Sequence, residues 1–109
     1  MIRWNIKRDR GLVFIKIAGH AEYDVKGKDV VCSAVSSVVL NTCNILETLG
    51  YLVRHTNEEE IFTAIVKGDS LVANKICLVL FNELIDLEKQ YPNNIKKVDY
   101  VDSRDIVNE

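Results

Sequence analysis

"IRWNIKRDRGLVFIKIAG", residues 2–19, holds two apolar runs on either side of a turn-like Arg-Asp-Arg-Gly. In the first run Ile2, Trp4 and Ile6 alternate with Arg3, Asn5 and Lys7, a period of two that puts apolar groups on one face of a strand. The second run, from Leu12 to Ala18, is apolar at all but one position. The pair predicts a β-hairpin over about residues 2 to 19, so the fold starts with two antiparallel strands.

Downstream the period changes. Val31, Val35, Val38, Val39, Ile45, Leu46 and Leu49 recur at helical spacing, and Gly50 stands where a left-handed cap is wanted, which predicts a helix over Val30–Leu49. "YLVRHT" and "IFTAIVK" flank the polar "NEEE" at 57–60 and predict a second hairpin. A second long helix follows, with Asp69 or Ser70 as N-cap and a stop near Pro92. The order is ββαββα: an α+β fold, an antiparallel sheet packed with two helices, in one domain spanning residues 1–109. Apolar residues cover more than one stripe of the second helix, so the first helix or a second subunit is expected to cover the excess. The tail carries Ile95, Val98, Tyr100 and Val101 with enough alternation for a short edge strand.

Composition bounds the function. Fourteen basic and sixteen acidic residues leave a net charge of −2, which provides no bulk electrostatic drive toward nucleic acid or anionic membranes, and Lys96 and Lys97 are too few to argue otherwise. The N-terminus lacks a signal-peptide pattern and the apolar run at 76–81 is too short to span a bilayer, so a cytoplasmic location is expected. Three cysteines without CxxC spacing argue against disulfides and zinc, and neither a metal nor a cofactor is called for.

Chemistry concentrates in "GHAEYDVKGKDVVCSAVSS", residues 19–37. Asp29 is the natural N-cap of the first helix and places Cys32 in its first turn, among backbone N–H groups without intrahelical partners, at the positive end of the helix dipole. That setting favours a thiolate nucleophile. His20 ends an apolar strand, and the intervening loop is of a length to bring its imidazole beside the thiol as base and acid. The amides of Cys32 and Ser33 are candidates for stabilising an oxyanion, and Gly27 leaves the loop permissive. Taken alone, a cysteine at a helix start is more often a small buried hydrophobe. Cys43 and Cys77 read as core thiols, His55 as a strand residue and Glu58–Glu60 as a solvated hairpin tip.

Gly19-His20-Ala21, Gly27-Lys28-Asp29-Val30-Val31-Cys32 and Ala34-Val35-Ser36 resemble the motifs of the ribosomal-processing cysteine proteases, the Prp or YsxB-like family, in residues and in spacing. The resemblance implies a bacterial endopeptidase that removes the N-terminal extension of ribosomal protein twenty-seven of the large subunit. It implies Cys32 as nucleophile and His20 as general base and acid. Asp29 is then cap or orienter, Ser36 a pocket or packing residue, and Ser33 a small residue where many members carry alanine. It also implies a mobile loop, here with Gly27 and the bulkier Tyr23, and a homodimer. Two other classes fit the residues without the resemblance: a non-enzymatic, ribosome-associated peptide-binding or assembly module, and a structural homodimer with no site.

Overall fold

A computed structural model of the chain describes residues 1–25 and 27–99. Its elements are β1 (Ile2–Asp9), β2 (Leu12–Ala18), α1 (Val30–Thr48), β3 (Leu52–Glu58), β4 (Ile61–Lys67), α2 (Leu71–Gln90) and β5 (Ile95–Lys97). They form one five-stranded sheet in the order β3-β4-β2-β1-β5. The four strands of the two hairpins pair antiparallel, as the alternation implied. β5 joins the outer edge of β1 in parallel, with Ile2 opposite Ile95, so the whole sheet is mixed. The edge strand expected in the tail is therefore three residues long; Tyr100 and Val101 lie outside the described residues.

Cross-strand partners share a face, and the register puts Trp4 beside Ile17, Ile17 beside Phe62, Ile15 beside Ala64 and Val13 beside Val66. These side chains are buried with the inner stripes of both helices in a single core. α1 contributes Val31, Val35, Val39, Cys43 and Leu46; α2 contributes Ala73, Cys77, Leu80 and Leu84. Both sets step by three or four residues, the spacing that keeps side chains on one face of a helix. Trp4 is fully buried and meets the edge of Phe81 at a ring distance of 5.3 Å, which ties β1 to α2.

Helix ends follow the local chemistry. The backbone N–H groups of Gly50 and Tyr51 donate to the carbonyls of Glu47 and Leu46 while Gly50 sits at φ +81°, the paired bonds of a Schellman cap. At α2, Ser70 rather than Asp69 is the N-cap, its Oγ accepting from Ala73 N. Among the described residues α1, not the run at 76–81, is the helix long and apolar enough by length and composition to cross a membrane, but its Val31, Val35, Val39 and Leu46 are buried within this fold.

The excess apolar surface of α2 is only partly covered. α1 lies alongside it, and the two helices line an open groove that includes Val38, Ile45, Ile76 and Val79. Leu71, Val72, Leu78 and Val79 remain at least half exposed.

Candidate active site

The chain leaves β2 through Gly19, at φ +98°, where an added Cβ would stand 2.5 Å from the carbonyl oxygen of Met1. Only glycine fits that left-handed, crowded corner, and it turns His20 toward the N-terminus of α1. Cys32 arrives there as the third residue of the helix, partly buried. Its Sγ faces His20 Nδ1 at 4.0 Å and accepts from the backbone N–H of Ala21 at 3.3 Å. An N–H aimed at sulfur stabilises negative charge on it. Among the described residues, then, the fold brings together the histidine and the cysteine singled out from the sequence, and adds the Ala21 donor that sequence reading missed.

Asp29 is buried and does more than cap. Its Oδ1 accepts from Val31 N and Cys32 N, both at 3.0 Å, and its Oδ2 accepts from Tyr23 N at 2.9 Å and Asp24 N at 3.3 Å. Burial works against the charge, but the N–H groups of Cys32, Tyr23, Asp24 and Val31 outweigh it and hold this carboxyl below the ordinary value of 3.8. One carboxylate thus joins the loop to the helix start. Two expectations change as a result. Cys32 N donates to Asp29 Oδ1 and Ser33 N to the Asp29 carbonyl at 3.1 Å, so neither is a free oxyanion donor. Asp29, with both oxygens spent on backbone, is a clasp and not an orienter of the imidazole.

The carboxylate beside the imidazole belongs instead to a residue read from the sequence as hairpin tip. Glu60 Oε1 lies 2.7 Å from His20 Nε2. The pairing of β2 with β4 sets Ala18 opposite Ile61, and Gly19 N continues the ladder to the Glu60 carbonyl at 2.9 Å, so the hairpin tip is locked beside the histidine. Three consecutive glutamates gave no signal by themselves; the adjacency of β2 and β4 did.

His20 and Cys32 form the ridge between two hollows. On one side a cavity of about 240 Å³ has an apolar lining that includes Ile17, Val35, Val39, Ile61 and Phe62, with Ser36 and Glu60 at its rim. On the other, a hollow of about 260 Å³ is lined by Glu22, Asp24, Gly27, Asp29 and Ser33. Ser36 is exposed at the first, which makes it a pocket residue and not a packing one. Tyr23 stands half exposed with its ring edge-on to Tyr91 at 5.3 Å, and Asn94 Nδ2 donates to the Ala21 carbonyl, so the loop between histidine and cysteine is tied to the end of α2 as well as to Asp29. Cys43 and Cys77 are buried as expected, and His55 is exposed on β3.

The family model described as cysteine protease Prp matches residues 1–96, which include every residue of this site. The chain belongs to the Prp family of cysteine proteases. Among solved structures it is similar to the essential ribosomal processing protease Prp of Staphylococcus aureus with a covalently linked product peptide, at 26% identity and a TM-score of 0.77, covering 89% of this chain and 97% of that one. The same S. aureus protease with a substrate peptide matches at 25% identity and a TM-score of 0.72, over 90% and 98% of the two chains. A Streptococcus mutans protein, SMU.848, matches at 21% identity and a TM-score of 0.68, over 89% and 91%, which speaks for the shared fold. No curated protein matches the chain. The Prp fold and the α+β, two-helix arrangement therefore agree.

Proposed function

We propose that this Prp family member is a cytoplasmic bacterial cysteine endopeptidase that removes the N-terminal extension of ribosomal protein twenty-seven of the large subunit. The observation that carries the reading is His20 Nδ1 facing Cys32 Sγ at 4.0 Å, at a helix N-terminus, between two open hollows. Family membership supplies the reaction class, and the S. aureus relative bound to substrate and product peptides supports a peptide substrate.

In this mechanism His20 Nδ1 takes the proton of the Cys32 thiol, and the sulfur attacks the scissile carbonyl carbon. The tetrahedral oxyanion collapses, the C–N bond breaks, and the proton on Nδ1 passes to the leaving amine. Water, deprotonated by the same nitrogen, then attacks the thioester and releases the acid and the free thiol. A separation of 4.0 Å is longer than a strong hydrogen bond, and a small rotation of the imidazole on peptide binding closes it. The apolar hollow accepts a bulky apolar side chain of an extended peptide, and Ser36 and Ser33 flank the ridge on its two sides.

Intact-mass analysis of the N-terminally extended ribosomal protein, mixed with the parent protein, tests the reading. A single cut by the parent, and none by Cys32→Ala or His20→Ala, is expected. Complex formation without any cut would replace the protease by the peptide-binding module.

The uncovered apolar face of the helices supports a homodimer with Leu78, Val79 and Ile45 at its centre. Sedimentation should give a dimer for the parent and a monomer for Val79→Glu; a monomeric parent at micromolar concentration would end that proposal.

A further inference from the structure

The two nitrogens of His20 face different partners. Nδ1 looks at Cys32 Sγ and Nε2 at Glu60 Oε1, 2.7 Å away. An ionised carboxylate only accepts hydrogen bonds, so the bond to Glu60 requires the proton on Nε2 and leaves the Nδ1 lone pair directed at the thiol. Among the other acids near the ridge, Asp29 is committed to four backbone N–H groups and Glu22 pairs with the N-terminal ammonium at 4.0 Å. Glu60 is held in place by its own backbone, which accepts from Gly19 N immediately before the histidine.

We propose that Glu60 is the positioning residue of this site, a carboxylate that fixes the ring and tautomer of His20 and faces the imidazolium formed when Cys32 gives up its proton. The inference rests on the assignment of Cys32 and His20 made above and adds a third member to it. When the thiol proton moves to Nδ1 the ring becomes cationic, Nε2 keeps its hydrogen, and Glu60 keeps its charge. No proton reaches the carboxylate. Both side chains are about half exposed in the free protein, at 49% and 54%, and both border the apolar hollow. A peptide seated there displaces water from the pair and strengthens it at the moment of reaction.

The test combines cleavage kinetics on a peptide spanning the extension junction with ¹⁵N–¹H NMR of the His20 ring, in the parent, Glu60→Ala and Glu60→Gln. Glutamine retains an acceptor for Nε2–H but not the charge. Because Glu60 is half exposed, its removal should cost less than the ~10⁴-fold seen for a buried orienting aspartate. A fall of roughly ten- to a hundredfold in kcat is expected for Glu60→Ala, with KM within about twofold and partial recovery in Glu60→Gln. The hydrogen-bonded Nε2–H resonance should be present in the parent, absent in Glu60→Ala and retained in Glu60→Gln.

A Glu60→Ala variant that cuts with the parental kcat overturns the inference alone. So does a variant whose KM rises while kcat stands, since that is the mark of substrate contact. A parent that cuts nothing overturns the protease assignment and this inference with it.

Discussion

Replacing Asp29 tests whether one carboxylate joins the loop between His20 and Cys32 to α1. In Asp29→Ala four backbone N–H groups lose their acceptor at once: those of Val31 and Cys32 at the helix start, and those of Tyr23 and Asp24 in the loop. Loss of a helix cap costs about 1–2 kcal/mol. Hydrogen bonds to a charged group are worth about 1.5–3 kcal/mol each, but Tyr23 and Asp24 are exposed enough for water to replace part of that. A total near 3 kcal/mol is therefore expected, a large fraction of the ~5–15 kcal/mol that holds such a domain together. Asp29→Asn separates the two halves of the clasp. Its Oδ1 still caps Val31 and Cys32, while its amide group meets the donors of Tyr23 and Asp24, so about half the loss is expected.

Urea unfolding measures the totals and amide hydrogen exchange locates them. In Asp29→Asn the Tyr23 and Asp24 amides should exchange faster while Val31 and Cys32 stay protected. A cost under 1 kcal/mol for Asp29→Ala, or unchanged exchange at Tyr23 and Asp24, would refute the clasp. The pH dependence follows with its sign. The folded-state carboxyl lies below 3.8, so on acidification the unfolded chain takes up this proton first. The contribution is complete above about pH 4 and is lost as pH falls through the folded value. Asp29→Asn should flatten the acid limb of the stability curve in that window.

Iodoacetamide at pH 7 should label Cys32 well ahead of the other two thiols. Burial pushes the Cys77 thiol up to about 11, and burial followed by the nearby Glu47 charge raises that of Cys43; peptide mass mapping that finds equal rates would count against a reactive Cys32. Gly19→Ala should destabilise the fold by about 2 kcal/mol or more, because the new Cβ must push the Met1 carbonyl away at a positive φ. It should also lower cleavage beyond what its thermal shift explains, since the same corner aims His20. A stable Gly19→Ala protein with full activity would mean the corner relaxes without moving the histidine.

Local signals in the chain already specified the two hairpins, both long helices and most of their caps. Alternation of apolar and polar side chains is a property of a single strand, and the 3.6-residue period a property of a single helix, so neither needs knowledge of a neighbour. The same holds for Asp29 at the start of α1 and Gly50 at its end. His20 and Cys32 were legible because a strand end and a helix start are both local events, and because the flanking motifs are those of the Prp family.

What no segment carries alone is which strand lies beside which. Only the folded sheet, with β2 and β4 adjacent at its centre, sets Glu60 against His20 and converts an apparently solvated tip into part of the site. Only the packed chain brings Tyr23 N and Asp24 N onto the Asp29 carboxylate, turns Ala21 N toward the sulfur and adds β5 in parallel to β1. Hydrogen bonds between residues distant in sequence depend on register and packing, which the whole chain decides together. The residues and their periods therefore determined the elements and the chemical candidates, and the tertiary structure decided their partners.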